Sequence, residues 1–148
     1  MTDRQPRTPE QRKADTLAKL SAPAMDVWVA TATAEAGGRA GSHLVPLSLA
    51  WIDERVVLAT EADSVTASNI ISQRHARLGL GPTRDVVMID AELEQAYGLD
   101  EVPACLAQQY AMQRAGTRAS PATGCGFWCC ARFGSRPGGR SMSFPGVP

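Results

Sequence analysis

Near residue 27 the spacing of apolar residues changes, and this change restricts the chain to folds built mostly of strands. Before it, Ala14, Leu17, Ala18 and Leu20 recur at helical spacing. Thr8 stands as N-cap, Pro9 occupies the first helical position, Gln11 is placed for a capping box, and Pro23 follows the end. From Val27 the period is two. Val27–Thr33 reads as a first strand, and Gly37, Gly38 and Gly41 permit a hairpin loop before a second, His43–Trp51. Asp53 and Glu54 turn the chain into a third, Arg55–Thr60. Asp63 or Ser64 then caps a short helix to about Gln73, with Val65, Ala67, Ile70 and Ile71 as its apolar residues. A fourth strand, Ala76–Leu80, ends at Gly81-Pro82, and a fifth runs from Asp85 to about Glu94. Glu101–Gln113 reads as a helix presenting Leu106, Tyr110 and Met112.

Antiparallel strands joined by short turns, with one helix between the third and fourth, predict a mainly-β (α+β) chain: a small barrel with peripheral helices. Five strands leave it unfinished, with edges that want a partner. Pro46 lies inside the second strand and has no N–H to donate. It marks either an ordinary edge strand that tolerates a proline or a place where the ladder opens for a ligand.

The chain of 148 residues has a formal net charge of +0, so it carries no basic field to hold nucleic acid or an anionic membrane. The first apolar stretch, Ala24 to Ala34, is interrupted by Asp26 and several Thr, and no run approaches the ~20 apolar residues of a spanning helix. A soluble, cytoplasmic protein is the expectation. His43 and His75 have no base or nucleophile adjacent in sequence, and a surface or turn histidine is the simpler role for each. Cys125, Cys129 and Cys130 lack the second thiol pair or histidine cluster of a zinc site, so no metal is expected. Arg84 and Asp85 read as a local turn pair.

Five features occur in order: a strand with Val-Ala-Thr at 29–31, a Gly-containing hairpin, His43-Leu-Val-Pro46, an acidic turn with an Ala59-Thr60 strand end, and Ser64-x-x-Ala67-x-Asn69-Ile70. This set resembles the pyridoxamine 5'-phosphate oxidase-like, FMN-binding split β-barrel family, in particular its actinobacterial deazaflavin-dependent branch. The resemblance spans roughly residues 10–113. It implies homodimers with a cofactor in a groove between two barrels, either FMN or the deazaflavin coenzyme F-420. The expected activity is hydride transfer between that cofactor and a small organic substrate. Position by position, it places Val45, Pro46, Leu47 and Ser48 along the ring, and Thr60, Ser64, Thr66 and Asn69 at the phosphate and ribityl chain. A helix N-terminus suits an anion, although Asp63 and Ser64 are equally accounted for as helix caps. Many relatives carry Lys or Arg near Thr66; this helix has no cation, which leaves Arg74, Arg77 or the other subunit to supply one. Since the cofactor carries the hydride chemistry, no catalytic side chain is required. A non-catalytic protein that sequesters such a cofactor is the alternative.

After Gly116 the composition breaks. From Thr117 to Pro148 there is no Asp, Glu, Lys, Ile or Leu, while three of the four Cys and all three Phe fall there. No apolar period is present, so the segment is expected to supply neither strand nor helix, leaving the C-terminal strand missing. Disordered tails are rich in Glu, Lys, Gln and Ser instead. GC-rich genes read one base out of register give Arg, Gly, Pro, Ser, Ala and Cys, which is this composition. Joining the last base of each codon to the first two of the next undoes a one-base loss. Trp128-Cys129 then forces Val, and Phe127 to Ser143 permits Leu-Val-Leu-Arg-Pro-Val-Arg-Ile-Gln-Ala-Trp-Arg-Glu-Val-Asn-Glu, which resembles the C-terminal strand of the same family. The expected organisation is a disordered N-terminus over 1–7, a split-barrel domain over 8–114, and an out-of-frame or disordered tail over 115–148. An inactive product of a frameshifted gene is therefore a further reading.

Overall fold

A computed structural model describes residues 6–34, 38, 40–115 and 127–133, with 34 and 127–133 described by their backbone. In chain order the elements are α1 (Pro9–Ser21), β1 (Met25–Ala34), β2 (Ala40–Ile52), β3 (Arg55–Thr60), α2 (Val65–Gln73), β4 (His75–Leu80), β5 (Val87–Gly98), α3 (Ala104–Arg114) and β6 (Phe127–Phe133). The strands are antiparallel and close a barrel in the order β1-β2-β3-β6-β5-β4. The mainly-β barrel with peripheral helices is therefore the fold. The hairpin loop between β1 and β2 lies largely outside the described residues.

One expectation is corrected. The tail does contribute a strand: β6 pairs with β3 from Thr60–Phe127 to Arg55–Arg132, and with β5 from Gly98–Phe127 to Ala91–Phe133. Ladder pairing needs only N–H and C=O groups, and 127–133 contains neither Pro nor Gly to interrupt it. Two facing edges supply the template, so an alternating apolar pattern is not required for the backbone to pair.

Inside the barrel, period two brings Val27, Val29, Leu49, Val56, Leu58, Leu78, Leu80, Ile89, Ala91 and Leu93 into one core. Its helical contributions are Leu20 from α1 and Ala67 and Ile70 from α2. β3 is buried on both faces, because α3 covers its outer side. There Val57 and Ala59 join Ala50, Ile52 and Tyr110 in a second core, with Tyr97 and Leu106 packed against it. This accounts for the unbroken Val-Val-Leu-Ala run where a one-sided strand would alternate. A bulge between Leu93 and Gln95 reverses the parity of β5, so Leu93 and Ala96 pack inward while Tyr97 turns out beneath α3. Asp53 (φ 49°) and Glu54 (φ 60°) form the two-residue turn between β2 and β3, in the left-handed geometry that matches strand twist.

The capping box of α1 is as its sequence reads: Thr8 N–H donates to Gln11 Oε1 (2.8 Å), and Gln11 N–H to Thr8 Oγ1 (3.2 Å). Its buried face is not. Thr16 and Leu20 are buried, whereas Ala14, Leu17 and Ala18 are exposed. Thr16 tolerates burial because its hydroxyl donates to Arg12 O at 2.8 Å. Asp85 is no local turn partner of Arg84; it binds Lys19 Nζ at 2.6 Å and Arg7, tying the β4–β5 loop to α1. Hydrogen bonds from Lys19 and then Arg7 hold its carboxyl at about 2. Gln113 of α3 donates to Leu20 O (3.1 Å) and accepts from Trp51 N–H (2.9 Å), joining α1, α3 and β2. No helix among the described residues is long and apolar enough to cross a membrane.

Candidate functional site

β2 is longer than its second neighbour, and that difference makes the site. It pairs with β1 from Ala40 to Leu49, but with β3 only from Leu49 to Ile52. Continuing that register would set Leu47 level with Thr60, but there the chain leaves the sheet towards α2. Among the described residues, the edge of β2 away from β1 is therefore unpaired from Ala40 to Ser48, and the barrel is split along it.

Tyr110 on α3 donates its hydroxyl to Ser48 O at 3.2 Å, so this carbonyl points to the open edge. Strand alternation turns the carbonyls of Pro46 and Leu44 the same way. The missing N–H of Pro46 then falls on the open edge and costs the β1–β2 ladder nothing. Val45 and Leu47 give their backbone groups to β1 and their half-buried side chains to the barrel core. Pro46 is exposed on the outer wall, and Ser48 Oγ donates to Asp26 Oδ1 at 3.1 Å.

Across the split, the four other expected residues fall into two pairs. Thr60 Oγ1 lies 3.4 Å from Ser64 Oγ at the mouth. Ser64 caps α2, accepting from Ala67 N–H at 3.1 Å and donating to Glu61 O at 2.7 Å. Thr66 and Asn69 instead face the barrel and are buried, at 2% and 3% exposure. Thr66 Oγ1 lies 3.1 Å from His43 Nε2. Asn69 Nδ2 donates to Thr31 Oγ1 at 3.0 Å, and Asn69 Oδ1 accepts from Thr33 Oγ1 at 3.1 Å. At this end, then, the interior is lined by a polar layer, with Thr31 and His43 at opposed positions of β1 and β2.

The outer wall carries an apolar row set by register: Pro46 lies opposite Trp28, Trp28 opposite Gly79, and Gly79 opposite Met88. Trp28, Leu44 and Met88 are 54%, 60% and 44% exposed. A separate concavity of about 390 Å³ lies under α3, bordered by Ile52, Tyr97, Leu106 and the Arg55–Glu94 ion pair (2.7 Å). His43, Tyr110, Thr31 and Thr33 were not singled out for the site by sequence. Only the Thr-for-apolar exchange at inward positions 31 and 33 signals their role in advance.

No family profile matches the sequence, and no curated protein does. Among solved structures, the chain is similar to an F420 reductase (TM-score 0.57, 13% identity, covering 80% of this chain and 92% of that one). It is similar also to a conserved hypothetical protein from Mycobacterium tuberculosis (TM-score 0.51, 19% identity, 90% and 92%). A third likeness is to a protein of unknown function from Agrobacterium tumefaciens (TM-score 0.57, 12% identity, 90% of this chain and 58% of that one). At these identities the likeness shows a shared fold, the small β-barrel with helices.

Proposed function

We propose that the chain is built to bind a flavin or deazaflavin in the split beside β2 and to serve hydride transfer between that cofactor and a small organic substrate. The observation that carries this reading is the open edge at Pro46. A planar ring with a polar rim finds the carbonyls of Pro46 and Ser48 and the N–H of Ser48 there, with no ladder bond to displace. When bound, the cofactor supplies the hydride chemistry. Residues Val45, Pro46, Leu47 and Ser48 hold the ring's flank, the first and third through side chains that also close the core. The carbonyls of Pro46 and Ser48 line its polar rim, and Tyr110 fixes the second of these. The hydroxyls of Thr60 and Ser64 stand at the mouth, where a ribityl chain leaves the ring. The cofactor is the deazaflavin coenzyme F-420 or FMN, with the sequence resemblance to the deazaflavin-dependent branch favouring the first.

The partner in this reading is a second copy of the chain. Trp28, Leu44 and Met88 are large apolar side chains left exposed beside the same strand, where a second barrel would bury them and complete the groove. A cytoplasmic location goes with such a cofactor enzyme.

We also propose that the segment after about Gly116 is read one base out of register. The composition break motivates this, and the strand at Phe127–Phe133 falls where the shifted codons permit Leu-Val-Leu-Arg-Pro-Val-Arg. Sequencing the codons for Ala115–Thr117, with an intact mass of the native protein, is the test; a native mass equal to that of the 148-residue chain overturns it. For the function, FMN and F-420 are titrated by fluorescence into the frame-restored protein. Saturable binding of one of them is expected, and no binding of either at high micromolar concentration refutes the reading. Tight binding without turnover over a panel of electron acceptors would make the protein a carrier.

A further inference from the structure

The family resemblance puts the cofactor phosphate at the N-terminus of α2. We infer that in this chain α2 carries no anion site: Thr66 and Asn69 are committed to a buried polar seam with His43, Thr31 and Thr33 that seats the helix across the barrel end. This rests on the reading that a cofactor lies beside β2, and departs from it only over the phosphate end.

Each side chain of the seam already has a partner. Asn69 uses its amide nitrogen on Thr31 (3.0 Å) and its oxygen on Thr33 (3.1 Å), and Thr66 uses its hydroxyl on His43 (3.1 Å). A phosphate reaching them would have to break these bonds where the side chains are almost wholly removed from solvent. In the first turn of α2, Ala67 N–H goes to Ser64 Oγ, and Ser68 N–H makes the ordinary helix bond to Ser64 O at 3.1 Å. The turn that leads into it, Glu61 to Ser64, carries two carboxylates and no cation, and α2 itself has no charged residue. A dianion there meets repulsion where other helix N-termini offer attraction. Ligand contact at this end of the split is thus with neutral hydroxyl-bearing groups, and any phosphate is held by residues outside α2.

The test uses the full chain and three probes. Inorganic phosphate is titrated first, following the backbone amide resonances of Val65, Thr66 and Ala67. The expected result is no saturable shift up to tens of millimolar; a saturable shift overturns the inference even if no flavin binds. Riboflavin and FMN are then compared on the wild type and on Thr66→Val, which removes the hydroxyl at nearly constant shape. An FMN-to-riboflavin affinity ratio that changes less than twofold between the two proteins is expected. A tenfold or larger fall in that ratio would make Thr66 a phosphate ligand and overturn the proposal. If the wild type binds neither flavin, the functional reading is decided by F-420 and FMN on the frame-restored protein, and the phosphate titration decides this inference by itself.

Discussion

Replacing Asn69 by Ala tests whether the polar layer stabilises the barrel. The side chain is 3% exposed and makes two hydrogen bonds, to Thr31 and Thr33. Each contributes about 1 kcal/mol net, and leaving the buried Thr31 hydroxyl without its donor costs a further ~1–2 kcal/mol. The better helix propensity of Ala returns roughly half a kcal/mol. The expected loss is therefore about 2.5–3.5 kcal/mol. With a urea slope of about 1–3 kcal/mol per molar, the unfolding midpoint at pH 7 should fall by roughly 1–3 M with the slope unchanged. The triple variant Asn69→Leu, Thr31→Val, Thr33→Val removes both ends of both bonds and should recover most of that loss. An unfolding free energy for Asn69→Ala within about 0.5 kcal/mol of wild type would refute the reasoning, because it would mean the seam is solvated.

Leu78 is fully buried in the barrel core, so Leu78→Ala should cost about 3–5 kcal/mol, against less than ~0.5 kcal/mol for Leu17→Ala on the exposed face of α1; urea melts read both. Ser64→Ala removes the cap of α2 and should cost about 1 kcal/mol, with faster amide exchange confined to the helix's first turn. The Asp85 carboxyl lies at about 2 in the folded chain, below its unfolded value, because Lys19 and then Arg7 donate to it. Its contribution is therefore fully present above about pH 4 and lost as pH falls towards 2. Asp85→Asn should flatten the acid limb of the stability profile, an effect that high salt diminishes because the group is partly exposed. If the proposed dimer forms through this face, Trp28→Lys should give a monomer in sedimentation where the wild type is a dimer; a dimer retained in the variant would place the subunit contact elsewhere.

What was legible in the sequence was local. The capping box of Thr8 and Gln11, the Ser64 cap, the turn at Asp53–Glu54 and the approximate extents of β1 to β5 depend on neighbours within a few residues. Pro46 also announced an opening in the ladder. The buried face of α1 was not legible, because only Leu20 enters the core and the rest of the face is set by Thr16 bonding back to Arg12. Nor was the bulge near Glu94, an insertion against a strand more than thirty positions on, which sends Tyr97 outward. The contacts that shape the split, Tyr110 to Ser48 and Asn69 to Thr31, join residues 62 and 38 positions apart. A lone histidine gave no warning that His43 would meet Thr66. The strand at 127–133 was not legible, because backbone pairing does not require the side-chain periodicity that this segment lacks.

The most direct test of the account is amide mapping of the frame-restored protein as F-420 or FMN is added. The account predicts saturable shifts centred on Leu44–Ser48 and on Thr60–Ser64, the two sides of the split, with the interior of α2 unmoved. Saturable binding whose shifts cluster under α3, around Tyr97 and Leu106, and spare β2 would contradict it.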